Sequence, residues 1–118
     1  RRATQAGTGP GKVRGYEFEG WVLDLARREL RSPEPAVVPL SSLEYRLLEL
    51  LLASAGSVLT RDRIMEIVAG RPVDPFERRI DIAISRLRAR LGDGGREPRL
   101  IKTVRNRGYV FAVEITAR

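Results

Sequence analysis

Five arginines between residues 76 and 91, at positions 78, 79, 86, 88 and 90, are the side chains of this sequence best suited to engaging a partner. A guanidinium is a planar fork of donors that matches the oxygens of a phosphate or the edge of a guanine. Their segment, FERRIDIAISRLRARL, has the period of a helix. At about 100° per residue, Phe76, Ile80, Ala83, Ile84, Leu87 and Leu91 share one apolar stripe that must be buried. The opposite face carries Arg78, Ile82, Ser85, Arg86 and Ala89, with Arg79 and Arg90 on one shoulder and Asp81 and Arg88 on the other. A solvated helix face usually mixes Glu and Lys four residues apart. This one is rich in Arg and includes an apolar Ile82 and a small Ala89, a mixture suited to a DNA major groove, where thymine presents a methyl group. The plain alternative is a solvated amphipathic helix with surplus arginine.

Two further cations, Arg105 and Arg107, flank Asn106 between the extended runs 100–104 and 109–113. Asn106 and Gly108 tolerate the positive φ that a tight hairpin turn requires, so the stretch reads as a hairpin with two arginines at its tip. Hairpin tips usually carry neutral turn formers. Arginine there suits a narrow, electronegative minor groove; solvated charge is the alternative.

The charge distribution agrees. Residues 1–59 hold eight Lys or Arg against seven acids, whereas residues 60–118 hold fourteen against eight, so the formal charge of +7 sits almost wholly in the half with the arginine helix. A nucleic acid is a better match than a membrane surface, because the helix keeps no broad apolar face once its core stripe is packed. There is no Cys and no His. A disulfide framework, a thiolate nucleophile and the commonest general base and metal ligand are all missing, which disfavours catalysis and fits a reducing cytoplasm. No apolar run approaches the roughly eighteen residues of a membrane span. No cofactor is expected.

The elements that must position these arginines follow from the rest of the 118-residue chain, enough for one compact domain and a tail. Residues 1–15, with four glycines and a proline, read as a flexible linker, and 16–115 as the domain. Alternation at 16–19 and the runs 21–25, 28–31 and 37–40 suggest a small antiparallel sheet of three or four strands covering one end of a helical core. Residues 115–118 either extend the last strand or fray. Ser41 and Glu44 form a capping box at the start of a leucine-rich first helix, and Gly56 is its left-handed stop. Thr60 caps a second, short helix with a stripe of Ile64, Ile67 and Val68 and an end at Gly70. Residues 71–75 form a loop bracketed by Pro72 and Pro75, and the arginine helix runs from Phe76 to a stop at Gly92. The fold class is α+β: a winged helix-turn-helix with an N-terminal four-stranded antiparallel sheet, a three-helix core and a C-terminal β-hairpin wing.

The runs RRIDIAISRLRARL and IKTVRNRGYVF, in particular the joint spacing of Asp81, Arg86-Leu87-Arg88, Thr103-Val104 and Gly108-Tyr109, resemble the OmpR/PhoB-type effector domain of two-component response regulators. The resemblance covers residues 16–113. It implies a bacterial transcription factor governed by phosphorylation of an upstream receiver domain, binding direct repeats of double-stranded DNA as a dimer while monomeric when isolated. It implies also that residues 71–75 (Arg71, Pro72, Val73, Asp74 and Pro75) face RNA polymerase. Carried over by position, Arg78 and Arg86 match base- or backbone-contacting positions, Ile82 an apolar base contact, and Arg88 a contact to backbone or nearby bases. Thr103 matches a phosphate contact at the base of the wing and Arg105 a wing residue that enters the minor groove in some members. The chain departs from the family in having Ala83 where His or Gln is frequent, Asn106 where Gly is frequent, and no tryptophan in the 66–69 region.

On physical grounds Arg86, central on the polar face, is expected to read bases, and Arg79, Arg88 and Arg90 to meet phosphates. Ser85 lets the helix approach closely and can donate to bases or backbone. Asp81, acidic on such a face, is expected to hold an arginine in place. Two rivals remain. A winged helix can bind an acidic protein surface instead, and a nuclease would need carboxylate clusters, for which Asp93 with Glu97 and Asp62 with Glu66 are the available pairs.

Overall fold

The alternation after residue 15 produces the expected strands. The computed structural model describes residues 13–69 and 75–118, which fall into two units, 13–39 with 115–118, and 40–114. In the first unit β1 (Gly15–Phe18), β2 (Trp21–Asp24), β3 (Glu29–Arg31), β4 (Val37–Val38) and β8 (Thr116–Ala117) form an antiparallel sheet in the order β4-β3-β2-β1-β8. The register aligns Ala117, Tyr16, Leu23, Leu30 and Val38 in one cross-strand row. Tyr16, Leu23 and Leu30 in that row are buried, as period-2 patterning requires.

Three details differ from the sequence reading. The sheet has five strands rather than four, because residues 116–117 pair with β1 instead of extending the wing or fraying. Arg118 N–H donates to Gly15 O at 2.9 Å and Arg14 N–H to Arg118 O at 2.6 Å, so the ordered unit extends past residue 115 and begins before 16. Arg28 has φ +54 and belongs to the turn, leaving β3 to start at Glu29. Residues 1–12 of the expected linker lie outside the described residues.

The second unit contains α1 (Ser42–Ala53), β5 (Leu59–Thr60), α2 (Arg61–Ala69), α3 (Pro75–Arg90), β6 (Ile101–Val104) and β7 (Gly108–Phe111). The capping box forms: Glu44 N–H donates to Ser41 Oγ and Ser41 N–H to Glu44 Oε1, both at 3.1 Å. Leu47, Leu48, Leu51 and Leu52 of α1 are buried. Arg63 N–H donates to Thr60 Oγ1 at 3.1 Å, so Thr60 caps α2 as expected. Among the described residues of α2, Ile64 and Met65 are buried, whereas Ile67 of the expected stripe is 40% exposed and Val68 is half-buried. On so short a helix one residue of rotation decides which side chain turns inward. The expected stop at Gly70 lies outside the described residues.

Ile80, Ala83, Ile84 and Leu87 of α3, with Leu91 just past it, are buried, which is the predicted stripe; the Phe76 side chain lies outside the described residues. Gly92, at φ +70, ends the helix in a Schellman arrangement in which Asp93 N–H donates to Arg88 O at 2.7 Å and Gly92 N–H to Ala89 O at 3.2 Å. The chain then returns through a loop gathered by one buried carboxylate. Asp93 accepts from Arg99 N–H at 2.7 Å, Leu100 N–H at 3.0 Å and Ile101 N–H at 3.0 Å, which fixes where β6 begins.

The wing is a three-stranded sheet in the order β5-β7-β6, not a lone hairpin. Thr103 faces Tyr109 and Val104 faces Gly108, leaving residues 105–107 as the turn, with Asn106 at φ +61. Gly108 serves a different purpose from the expected positive φ. A Cβ there would stand 1.9 Å from Leu59 O, so glycine is needed for β5 to pair with β7.

Candidate nucleic-acid interface

On α3 the arginine-rich face is exposed as its spacing predicts: Arg78, Arg79, Ile82, Ser85, Arg86 and Ala89 all lie open, Ile82 by 50%. At the wing tip Arg105 and Arg107 are exposed as well. The guanidinium groups of Arg78, Arg86, Arg105 and Arg107 form no ion pair or hydrogen bond with any described residue. A cation held without a protein partner keeps its full donor set for an anion.

Two of the shoulder arginines have partners within the unit. Arg88 Nε and Nη2 donate to Ile101 O at 3.0 and 2.7 Å, and Nη2 also donates to Thr103 Oγ1 at 2.9 Å. Arg88 therefore braces α3 against β6. Arg90 Nε donates to Glu44 Oε1 at 2.8 Å, and Glu44 is 2% exposed. The same carboxylate oxygen closes the α1 capping box, so Arg90 neutralises a buried acid that starts one helix and ties it to another. Arg79 is exposed and has an interaction of its own. Sequence spacing alone put Arg88 and Arg90 on solvent-facing shoulders, because their partners are 13 and 46 residues distant in the chain.

Asp81 holds an arginine, as expected, and the arginine is Arg61 at the start of α2, with Nε to Oδ1 at 3.2 Å. The hydroxyl of Tyr109 on β7 also donates to Asp81 Oδ1. Both Arg61 and Arg88 lie over the Tyr109 ring, at 5.4 and 5.7 Å from its centre. One tyrosine thus joins α2, α3 and the wing. Burial, the hydrogen bond to Asp81 and the Asp81 charge push the Tyr109 hydroxyl above its ordinary pKa, against a smaller lowering by Arg61. It stays a neutral donor. Burial draws Arg61 downward, but Tyr109 and Asp81 together raise it, so it stays charged. Nothing in the sequence pattern singles out Tyr109 or Arg61 as positioning residues. The only signal was that an acid on a cationic helix face must be paired.

One carboxylate of each pair considered for catalysis is engaged structurally. Asp93 is saturated by backbone N–H groups, and Glu66 Oε1 accepts from Arg63 at 3.4 Å. Among the described residues no group of three or more His, Cys, Asp or Glu could hold a metal ion, and no helix is long and apolar enough to cross a membrane. Residues 71–74 lie outside the described residues; Pro75 is the first residue of α3.

A three-helix core whose third helix presents exposed arginines, with an arginine-tipped hairpin braced to that helix, defines a winged helix-turn-helix domain. Residues 34–111 match the family model "Transcriptional regulatory protein, C terminal". The chain is 42% identical over 107 residues to the transcriptional regulatory protein GltR of Pseudomonas aeruginosa, covering 88% of this chain and 44% of GltR. The Klebsiella pneumoniae RstA DNA-binding domain, solved in complex with the RstA box, superposes with a TM-score of 0.77 at 36% identity, covering 84% of this chain and 97% of that one. The DNA-binding domain of CpxR from E. coli gives 0.72 at 32% identity, covering 84% and 96%. This chain belongs to that family, the OmpR/PhoB-type DNA-binding effector domains of response regulators. The family is one of transcription regulators and not of enzymes. The chain spans somewhat less than half the length of the curated relatives it matches.

Proposed function

We propose that this chain binds double-stranded DNA sequence-specifically as the output domain of a two-component response regulator. Helix α3 enters the major groove, and the wing reaches the adjacent backbone or minor groove. The observation that carries this reading is a set of four arginines with no partner among the described residues, Arg78 and Arg86 on α3 and Arg105 and Arg107 at the wing tip, on two elements locked together through Tyr109 and Asp81. Arg86 reads a base, Ile82 makes an apolar base contact and Ser85 permits close approach. Thr103 and Arg79 meet phosphates, and Arg105 and Arg107 meet the minor groove or its flanking phosphates. Arg88 and Arg90 act mainly by holding this surface in shape.

Membership of the family supports the wider setting. A receiver domain upstream controls the domain by phosphorylation in the cytoplasm, protomers that are single in isolation pair on direct repeats, and residues 71–75 face RNA polymerase. The test is selection of bound sequences from a random duplex pool at two salt concentrations. A repeated motif spaced by about one helical turn, with affinity falling steeply in salt, is the expected result. Recovery of no motif with shallow salt dependence would overturn the reading in favour of an acidic protein partner.

A further inference from the structure

The ladder between β5 and β7 does not stop where α2 begins. Thr60 faces Gly108, and one residue further the Arg61 N–H donates to Arg107 O at 3.4 Å. Arg61 is therefore both the first residue of α2 and a strand-like partner of the wing turn. Its side chain leaves toward α3, where Nε donates to Asp81 Oδ1 at 3.2 Å, and its guanidinium lies over the ring of Tyr109, whose hydroxyl donates to the same oxygen. One residue thus holds the wing turn by its main chain and α3 by its side chain.

The two long strands of the wing are tied to α3 by different arginines. Arg88 ties β6 at Ile101 O and Thr103 Oγ1. Arg61, with Asp81, ties β7 at Tyr109 and the turn at Arg107. The side chains of Arg105 and Arg107 have no partner among the described residues, so the tip cations stand wherever the turn backbone puts them. A two-stranded ribbon is marginal by itself and twists strongly. Held through β6 alone, the tip would turn about that strand; the second tie fixes its rotation.

An ion pair as open as Arg61–Asp81, with side chains 32% and 43% exposed, adds little to stability. What it supplies is direction. We infer that Arg61 is a positioning residue for sequence readout: it sets the rotation of the wing tip against α3, and so governs the preference for base pairs beneath the wing without touching them. The inference rests on the DNA-binding reading and extends it to a residue at the start of α2, outside both reading elements. An arginine favours a narrow, A·T-rich minor groove, and that preference is expressed only while its guanidinium is aimed into the groove.

The test measures the affinity of the 118-residue chain for its selected site and for duplexes carrying each single base-pair substitution along it. For the wild type, exchanging A·T for G·C beneath the wing should weaken binding about tenfold. Arg61→Ala should lose most of that discrimination while keeping the discrimination that Arg86 provides in the major groove. In an Arg105→Ala/Arg107→Ala background, where no tip cation remains to be aimed, Arg61→Ala should change the profile no further. Tyr109→Phe keeps the ring under Arg61 but removes the hydroxyl bond to Asp81; it should shift the profile in the same direction, and it decides the question if Arg61→Ala does not fold. If Arg61→Ala weakens every duplex equally, flattens the major-groove positions too, or still alters the profile without the tip arginines, the positioning role fails while DNA binding stands. It fails likewise if the tip double variant keeps the wild-type profile. If the wild type shows no preference at any position, the DNA-binding reading itself fails.

Discussion

Arg86 and Arg90 lie four residues apart on one helix and have opposite allegiances. Arg86 is exposed and pairs with nothing described, so Arg86→Ala should leave folding intact and relax base preference at one position of each half-site. A bidentate arginine on guanine is worth about 1–3 kcal/mol of discrimination, which parallel selections with the two proteins would read directly. Arg90 neutralises the buried Glu44. Its removal strands a carboxylate that also caps α1, and because Arg90 itself is 38% exposed the loss should be about 1–2 kcal/mol, smaller than for a fully buried pair. Urea unfolding of Arg90→Ala should show a lower midpoint. A variant as stable as the wild type with weaker DNA binding would return Arg90 to the phosphate-contacting group.

At the scale of elements, the wing depends on two contacts that sequence periodicity cannot express. One is the approach of β5 to β7. Gly108→Ala places a Cβ against Leu59 O, so β5 must separate from the wing, at a cost of about 1–3 kcal/mol seen in thermal unfolding. The other is Tyr109. Its raised pKa means that folding favours the neutral phenol; this contribution is complete below the ordinary tyrosine value of about 10 and is lost as pH rises through the raised value. Tyrosinate absorbance should therefore contain a late-titrating component that Tyr109→Phe abolishes; its persistence in that variant would assign it to Tyr16 or Tyr45. These cases mark the limit of what the sequence showed. The α3 stripe, the Ser41–Glu44 box, the turn at Asn106 and the exposed arginine face were legible because each depends on residues a turn or a few positions apart. Met65 replacing Ile67 in the core, the two-residue strands β5 and β8, and the partners of Arg88 and Arg90 were not. They are decided by long-range pairing, which one chain's local pattern does not record.

For the whole molecule, the arginine surface and its braces all belong to residues 40–114, whereas the five-stranded sheet belongs to the other unit. The proposed DNA contacts and the pairing of β1 with β8 are therefore drawn from different parts of the sequence. Residues 14–15 and 118 are linked by backbone hydrogen bonds of 2.6 and 2.9 Å. Residue 118 therefore lies beside residues 14–15 on neighbouring strands of one sheet. A short Gly/Ser bridge from residue 118 to residue 13, with new ends opened in the exposed turn at 56–58, should give a circular permutant that folds to the same structure and selects the same DNA. A permutant that folds but loses the selected motif would show that the order in which the chain is threaded, and not only its final geometry, matters to the surface it presents.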